Sequence, residues 1–412
     1  MTAETAPLTT PSSTELDALR SAVAADLAAY LEDLQELVNI DCGSYTASGV
    51  DEVGRFVTAF LRELGAQVET RPDPESRFGS TVIGHLHGPA GAPRVMLIGH
   101  MDTVFDPGTA DERPFRIDED VAYGPGVADM KAGLLTGLYA LKTIIAERGG
   151  LPFEELVFIA NPDEEVGSVT STPHIEALAA AMDVALVLEC ARANGDIVSA
   201  RKGILDLRVT VNGRAAHAGV EPEKGRSAIL EAARIVEDLQ ALNGMWPGST
   251  SNVGVIDGGT RPNVVAEKCT LMTDLRAISR EGLIAAEAEL RRIAGATEVP
   301  DTTVHVHELY RWWPMEKTER SVRLVRHAQA VAGSLGFEVN DTLTGGASDG
   351  NTTGGMGIPT IDGLGPIGGN DHGPSEYVEV DSIVPRTTLL AGLLLAIAAD
   401  PEVIAWRDQP RG

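Results

Sequence analysis

Cysteine is scarce here: Cys42, Cys190 and Cys269 are three thiols spread over 412 residues. That number is odd and the spacing wide, which excludes a disulfide framework or a thiolate zinc site and points to a reducing compartment. Positive charge is scarce too, with 33 Lys and Arg against 60 Asp and Glu and a formal charge of -27. The imbalance argues against nucleic acid or an anionic membrane as partner, so an anionic substrate must be met by local positive groups. The most apolar stretch, Leu389 to Ala399, has about half of the roughly twenty residues required to span a bilayer and reads as a buried C-terminal helix. The opening residues contain no basic segment followed by an apolar one, so no secretion signal is expected and a cytoplasmic location is.

Nucleotide-binding motifs are missing as well. Gly124-Pro125-Gly126 has Asp129 where a dinucleotide fingerprint requires its third glycine, and no Gly-Lys-Ser/Thr ending of a P-loop occurs. Internal repeats and low-complexity tracts are absent.

What is present suffices for two domains, since 412 residues exceed a typical single core and the hydrophobic content of 43% is ordinary for a globular chain. Residues 1–13 read as a loose tail, and Ser12 with Glu15 as a capping box for a helix running to about Val38. A helix over Val53–Leu64 precedes strands at Ser80–His87 and Arg94–Gly99, and a long helix covers Met130–Glu147. Strand Glu155–Ala160, helix Thr172–Ala181 and strand Val184–Leu188 continue an α/β layered domain with a largely parallel sheet. After Lys202-Gly203 the order becomes βαββαβ: Ile204–Val211, Ser227–Leu242, Ser251–Val255, Lys268–Arg276, Glu281–Ala294 and Thr303–Leu309. This is the ferredoxin-like pattern, inserted into the first domain, whose helical grammar resumes at Val322. The expected division is therefore 1–203 with 318–412, and 204–317.

Chemistry-bearing residues gather where strands end. Strand Glu155–Ala160 empties into Asp163-Glu164-Glu165, where neighbouring like charges ask for a cation. In Gly99-His100-Met101-Asp102, His100 and Asp102 fall on one face of an extended strand, so Asp102 either binds metal or holds the His100 ring. A glycine-rich loop, Tyr123-Gly124-Pro125-Gly126, delivers Asp129 to a helix start, Glu189 follows a strand, and His372 lies in Asn370-Asp371-His372-Gly373. Singly, each has a structural explanation. Together, two histidines and several carboxylates are ligands suited to zinc in a paired site.

The segments HMDTV, YGPGVADMK, DEEVGS, the Glu189 strand end, GRAAHAG and NDHGPSEYV occur in the order found in the aminoacylase and carboxypeptidase family of dinuclear zinc hydrolases. From about Leu34 onward the chain resembles that family, most closely its folate-cleaving glutamate carboxypeptidase branch. The resemblance implies a catalytic three-layer α/β domain and an inserted ferredoxin-like α+β lid or dimerisation domain. It implies two Zn2+ per chain, with Co2+ or Mn2+ as alternatives. Asp129 would bridge them, His100 and Glu189 would complete one site, and Glu165 and His372 the other. Glu164 would be the general base, Asp102 would orient His100, and the peptide after Asp129 would be cis. His217, offered by the partner subunit of a homodimer, would donate to the oxyanion. Asn263 and Arg276 would bind the substrate carboxylate, while Gly345 and Gly346 would let backbone amides approach it.

The expected reaction is hydrolysis of the amide bond to a C-terminal amino acid in a small amide or peptide with a free carboxylate. The basic residues that would hold a glutamate side chain have candidates in Arg192, Arg201, Lys202 and Arg311, none of which the resemblance aligns. An aminoacylase, an N-acyl-amino-acid deacylase or a dipeptidase shares the same chemistry. A non-catalytic dimeric binding protein is disfavoured, since every proposed ligand and the base are present.

Overall fold

The computed structural model describes residues 8–409, and these form two compact units. One comprises the described residues up to Ser199, Lys317–Leu343 and those from Ser348 onward; the other is Ala200–Glu316 with Thr344–Ala347. Residues 1–7 of the expected tail lie outside the described part. Ser12 caps helix Ser13–Val38: the Glu15 amide donates to its hydroxyl (3.3 Å) and its own amide donates to the Glu15 carboxylate (3.0 Å).

The first unit is built on a six-stranded sheet in the order Gln67–Arg71, Thr81–His87, Glu155–Asn161, Arg94–His100, Val184–Val187 and Thr360–Ile361. Its last three pairings are parallel, and Thr81–His87 alone runs antiparallel to both of its neighbours, so five of the six strands share one direction and the sheet is largely parallel, as expected. The parallel strands are aliphatic and buried almost throughout, as strands covered on both faces must be.

Helix Ala132–Arg148 crosses the sheet and stops at Gly149, which takes the left-handed φ of +73° open to glycine. Near its start, Gly133 lies so close to the end of strand Val184–Val187 that a Cβ would sit 1.8 Å from the Leu188 carbonyl oxygen. The apolar C-terminal helix runs over Val380–Ala398, beginning well before the expected Leu389 and holding Pro385 inside it. It is long and apolar enough to cross a membrane, yet 78% buried in the protein, packed on helices Glu319–Leu335, Ser13–Val38 and Ala132–Arg148. Asp400 just beyond it is completely buried and accepts from Arg323 Nε (2.6 Å) and His327 Nε2 (2.7 Å).

The second unit has a four-stranded antiparallel sheet ordered Thr250–Gly258, Lys268–Ala277, Gly203–Asn212 and Thr303–Trp312. Along Gly203–Asn212, Leu205, Leu207, Val209 and Val211 are buried while the residues between them are less so. That period of two, with Cys269, Leu271 and Leu275 of the neighbouring strand and apolar side chains of helices Ala228–Gln240 and Arg280–Gly295, gives the unit its own core. Order and pairing are those of the ferredoxin-like pattern.

Candidate metal centre

Parallel strands deliver their C-terminal ends to one edge of the first sheet, and the titratable residues collect there. His100 ends one strand. Its Nδ1–H donates to the Asp102 carbonyl (3.0 Å), and its Nε2 faces Asp129 Oδ1 (3.0 Å) and Glu189 Oε1 (3.6 Å). His372 Nε2 faces the other Asp129 oxygen, Oδ2 (3.2 Å), and Glu165 Oε2 (3.1 Å). The structure thus brings His100, Asp129, Glu165, Glu189 and His372 together, with one Asp129 oxygen turned to each histidine. His100, Asp129 and Glu165 each offer a ligand atom within 4.8 Å of the others.

Each side chain is held by its local backbone. Asp129 sits in an irregular turn, Val127–Lys131, at φ -113° and ψ 90°, and the Asp129–Met130 peptide is cis. Sequence reading passed over the residue that holds this turn. Glu376, buried, accepts from the amides of Gly126 (2.9 Å), Ala128 (2.8 Å) and Asp129 (3.0 Å). It lies four residues after His372, inside NDHGPSEYV, and nothing local in the sequence marks it.

Glu164 and Glu165 occupy a short 3-10 turn, Glu164–Val166, closed by Gly167 at φ +92°. Asp102 fastens this turn: its carboxylate accepts from the amides of Glu164 (3.1 Å) and Glu165 (3.2 Å) and from the Ser44 hydroxyl (2.7 Å). Its Oδ1 stands 3.4 Å from His100 Nδ1. Asp102 is therefore outside the ligand cluster, and its firmest contacts are to the glutamate turn and Ser44 rather than to the His100 ring.

The electrostatics ask for added positive charge. Burial pushes the Glu164 carboxyl well above its usual value, with Glu189, Asp349 and Glu165 adding to the push and His100 opposing it. Hydrogen bonds to Asp129 and Glu165 raise His372 to about 10. Burial works against the Asp129 carboxylate, yet bonds from both histidines hold it well below the ordinary range. Glu165 Oε1 is buried without a hydrogen-bond partner. An orphaned carboxylate oxygen beside two imidazoles and two further carboxylates fits a divalent cation.

The other nominated residues lie in the second unit, in two groups. His217 is exposed, with Nδ1 accepting from the Gly219 amide (3.2 Å), and the neighbouring Ala218 amide donates to the Asn263 carbonyl (2.9 Å). Arg276 grips Asp274 through Nε (3.1 Å) and Nη2 (2.9 Å) and donates from Nη1 to the Gly345 carbonyl (2.9 Å). Gly346 gives its carbonyl to Arg201 (3.1 Å). The Gly346-Ala347-Ser348-Asp349-Gly350 segment fits the Gly-x-Ser-x-Gly pattern of a serine nucleophile, but Ser348 is fully buried and donates to Asp362 (2.7 Å), so its hydroxyl is structural. The three cysteines are free and buried.

Residues 96–396 match the model of peptidase family M20/M25/M40. Carboxypeptidase G2 of a Pseudomonas species is 31% identical over 377 residues, covering 90% of each chain. An acetylornithine deacetylase of Edwardsiella ictaluri is 26% identical, covering 82% of this chain and 88% of its own. Among solved structures, a tripeptidase from Staphylococcus aureus superposes with a TM-score of 0.74 at 23% identity, covering 90% of this chain and 98% of that one. An M20 family metallo-carboxypeptidase from Sulfolobus solfataricus gives 0.67 at 15% identity, with 90% and 99% covered, so the likeness is one of fold.

Proposed function

The chain belongs to peptidase family M20/M25/M40, whose members are metal-dependent hydrolases, and from that premise we propose that it cleaves the amide bond between an acyl group and an amino acid with a free carboxylate, using two zinc ions. His100, Asp129 Oδ1 and Glu189 would hold one ion; His372, Asp129 Oδ2 and Glu165 would hold the other. The observation that carries this reading is the division of Asp129, one oxygen toward each histidine. When bound, such a pair polarises a carbonyl and brings the acidity of a water toward neutrality.

Glu164 is fixed through its own amide beside Glu165 and is outside the ligand cluster. It takes the proton of the attacking water and returns it to the departing amine, so one carboxylate serves both transfers. His217, whose Nδ1 accepts from its own loop, keeps Nε2–H for the developing oxyanion. That donor comes from a second copy of the chain, which makes the active form a homodimer. Asn263 and Arg276 receive the substrate carboxylate, and backbone amides at Gly345 and Gly346 approach it.

Carboxypeptidase G2 supports a glutamate conjugate as substrate. A second reading, an N-acyl-amino-acid deacylase, is favoured by the acetylornithine deacetylase relatives. Hydrolysis of N-acyl amino acids, dipeptides and a folate-type glutamate conjugate, with zinc, cobalt or manganese and with a chelator, separates the two. Metal-dependent turnover centred on glutamate conjugates supports the first reading and turnover centred on other acyl amino acids the second; turnover unaffected by chelation refutes both.

A further inference from the structure

The turn bearing Glu164 and Glu165 is tied down at both ends by a residue that the chemistry above does not use. Asp349 is 2% exposed. Its Oδ2 accepts from Asn161 Nδ2 (2.5 Å), at the last position of strand Glu155–Asn161, and its Oδ1 accepts from the Ser168 hydroxyl at the far end of the turn. Both donors are completely buried.

Asn161 stands opposite His100 in the parallel pairing, and its carbonyl accepts from the Met101 amide (2.7 Å), so this first foot is tied to the strand that carries His100. The second foot needs holding. Gly167 and Ser168 both take positive φ, +92° and +51°, which glycine adopts freely and serine does not. From inside the loop Asp163 accepts from the hydroxyls of Thr170 (2.7 Å) and Ser171 (2.5 Å); from outside, Asp349 spans both feet.

We infer that Asp349 is a positioning residue that clamps the Asn161–Ser168 turn through its two feet, and so sets the placement of Glu164 and the direction of Glu165. The inference rests on the roles proposed above for those two glutamates. Carboxylate-accepted bonds away from water are short and directional, which is what a clamp requires. A misplacement of about 1 Å at a reacting group can cost about a hundredfold in rate.

A competing role for Asp349 is its charge, since it lies near enough to Glu164 to add to the electrostatic push on that carboxyl. Substitution by asparagine separates the two. Its amide oxygen accepts from Asn161 Nδ2 and its amide nitrogen donates to the Ser168 hydroxyl, keeping both feet without charge.

The test compares Asp349→Ala, Asp349→Asn and Ser168→Ala with the wild type by hydrogen exchange across residues 162–171, by zinc titration, and by kcat and KM on whichever amide the wild type cleaves. The alanine variants are expected to exchange about tenfold or more faster in that segment alone. They should bind zinc about 10–100-fold more weakly and lose about 10–100-fold in kcat with KM within about threefold. Asp349→Asn should restore all three to within about fivefold of the wild type. Unchanged exchange in Asp349→Ala overturns the clamp, as does an Asp349→Asn variant with protected exchange but the kcat of the alanine variant. If Asp349→Ala does not fold, Ser168→Ala decides by the same readouts. If the wild type cleaves no amide, the proposed function falls while exchange and zinc titration still judge the clamp.

Discussion

Asp102→Asn keeps the shape of a completely buried side chain and removes one of its acceptors. The carboxylate takes three donors: the Ser44 hydroxyl and the Glu165 amide on Oδ2, and the Glu164 amide on Oδ1. An asparagine has one oxygen. With its nitrogen at Oδ1 it confronts the Glu164 N–H, and with its nitrogen at Oδ2 it confronts the Glu165 N–H. Either way one backbone donor of the glutamate turn is stranded, at a cost of about 1–3 kcal/mol. The bonds that survive lose their charge assistance, roughly half of their strength. The sum, about 2–4 kcal/mol, corresponds to a factor of roughly 30–1000. The loss should divide between zinc affinity, read by competition with a chelator, and kcat/KM in saturating zinc, because the two amides belong to the proposed base and to a proposed ligand. An Asp102→Asn enzyme with wild-type zinc affinity and kcat/KM within about threefold would refute the view that this carboxylate fastens the turn.

Glu164→Gln should lower kcat by about 10²–10⁴ with unchanged metal content by elemental analysis; loss of metal instead would make Glu164 a ligand. Asp400→Asn should lower the melting temperature by roughly 6–20 °C at pH 7, because it leaves the Arg323 guanidinium buried without its counter-charge. Burial disfavours the Asp400 carboxylate, but hydrogen bonds from His327 and Arg323 outweigh it and hold its pKa well below the ordinary 3.8. A depressed folded-state pKa stabilises the fold above pH 3.8, and that stabilisation is lost as pH falls through the folded value. The gap between wild type and variant in urea titrations should therefore be full at pH 7 and narrow below about pH 4, and a gap that widens in acid contradicts this. Gly133→Ala should cost about 3 kcal/mol or more, since its methyl carbon would lie 1.8 Å from the Leu188 carbonyl oxygen; an unchanged urea midpoint would show that the helix can move away freely.

Strands buried on both faces were legible because their aliphatic runs end abruptly in polar residues: Glu155–Ala160 and Arg94–Gly99 differ from the observed strands by one residue each. The inserted unit was legible for another reason, the alternation along Ile204–Val211, which only a one-sided sheet produces. The direction of Thr81–His87 was not, because direction is set by which strands become neighbours and a strand reads alike both ways. Short strands such as Arg116–Asp118 and Val121–Tyr123 carry too few residues to show a period. At the site, acids and histidines just beyond strand ends or at a helix entry stood out, as His100, Asp129, Glu165 and Glu189 do. Ser44, Glu376 and Asp349 did not, since each acts on backbone or side chains distant in sequence, and no local pattern records such contacts.

The order in which the site's residues occur along the chain has a consequence for synthesis. His100, Asp129, Glu165 and Glu189 all precede Ala200–Glu316, and His372 follows it. Inserting so long a segment costs the closure of the first unit little, because each doubling of a connecting loop adds only about 0.6 kcal/mol. Time is what it adds. As the chain is made at about 5–20 residues per second, Ala200–Glu316 is complete before His372 exists. For those seconds the early carboxylates stand without their last imidazole, and the nascent protein holds an incomplete set of metal ligands. Delaying the final ligand keeps the newborn chain from assembling its complete centre before the inserted unit has been made.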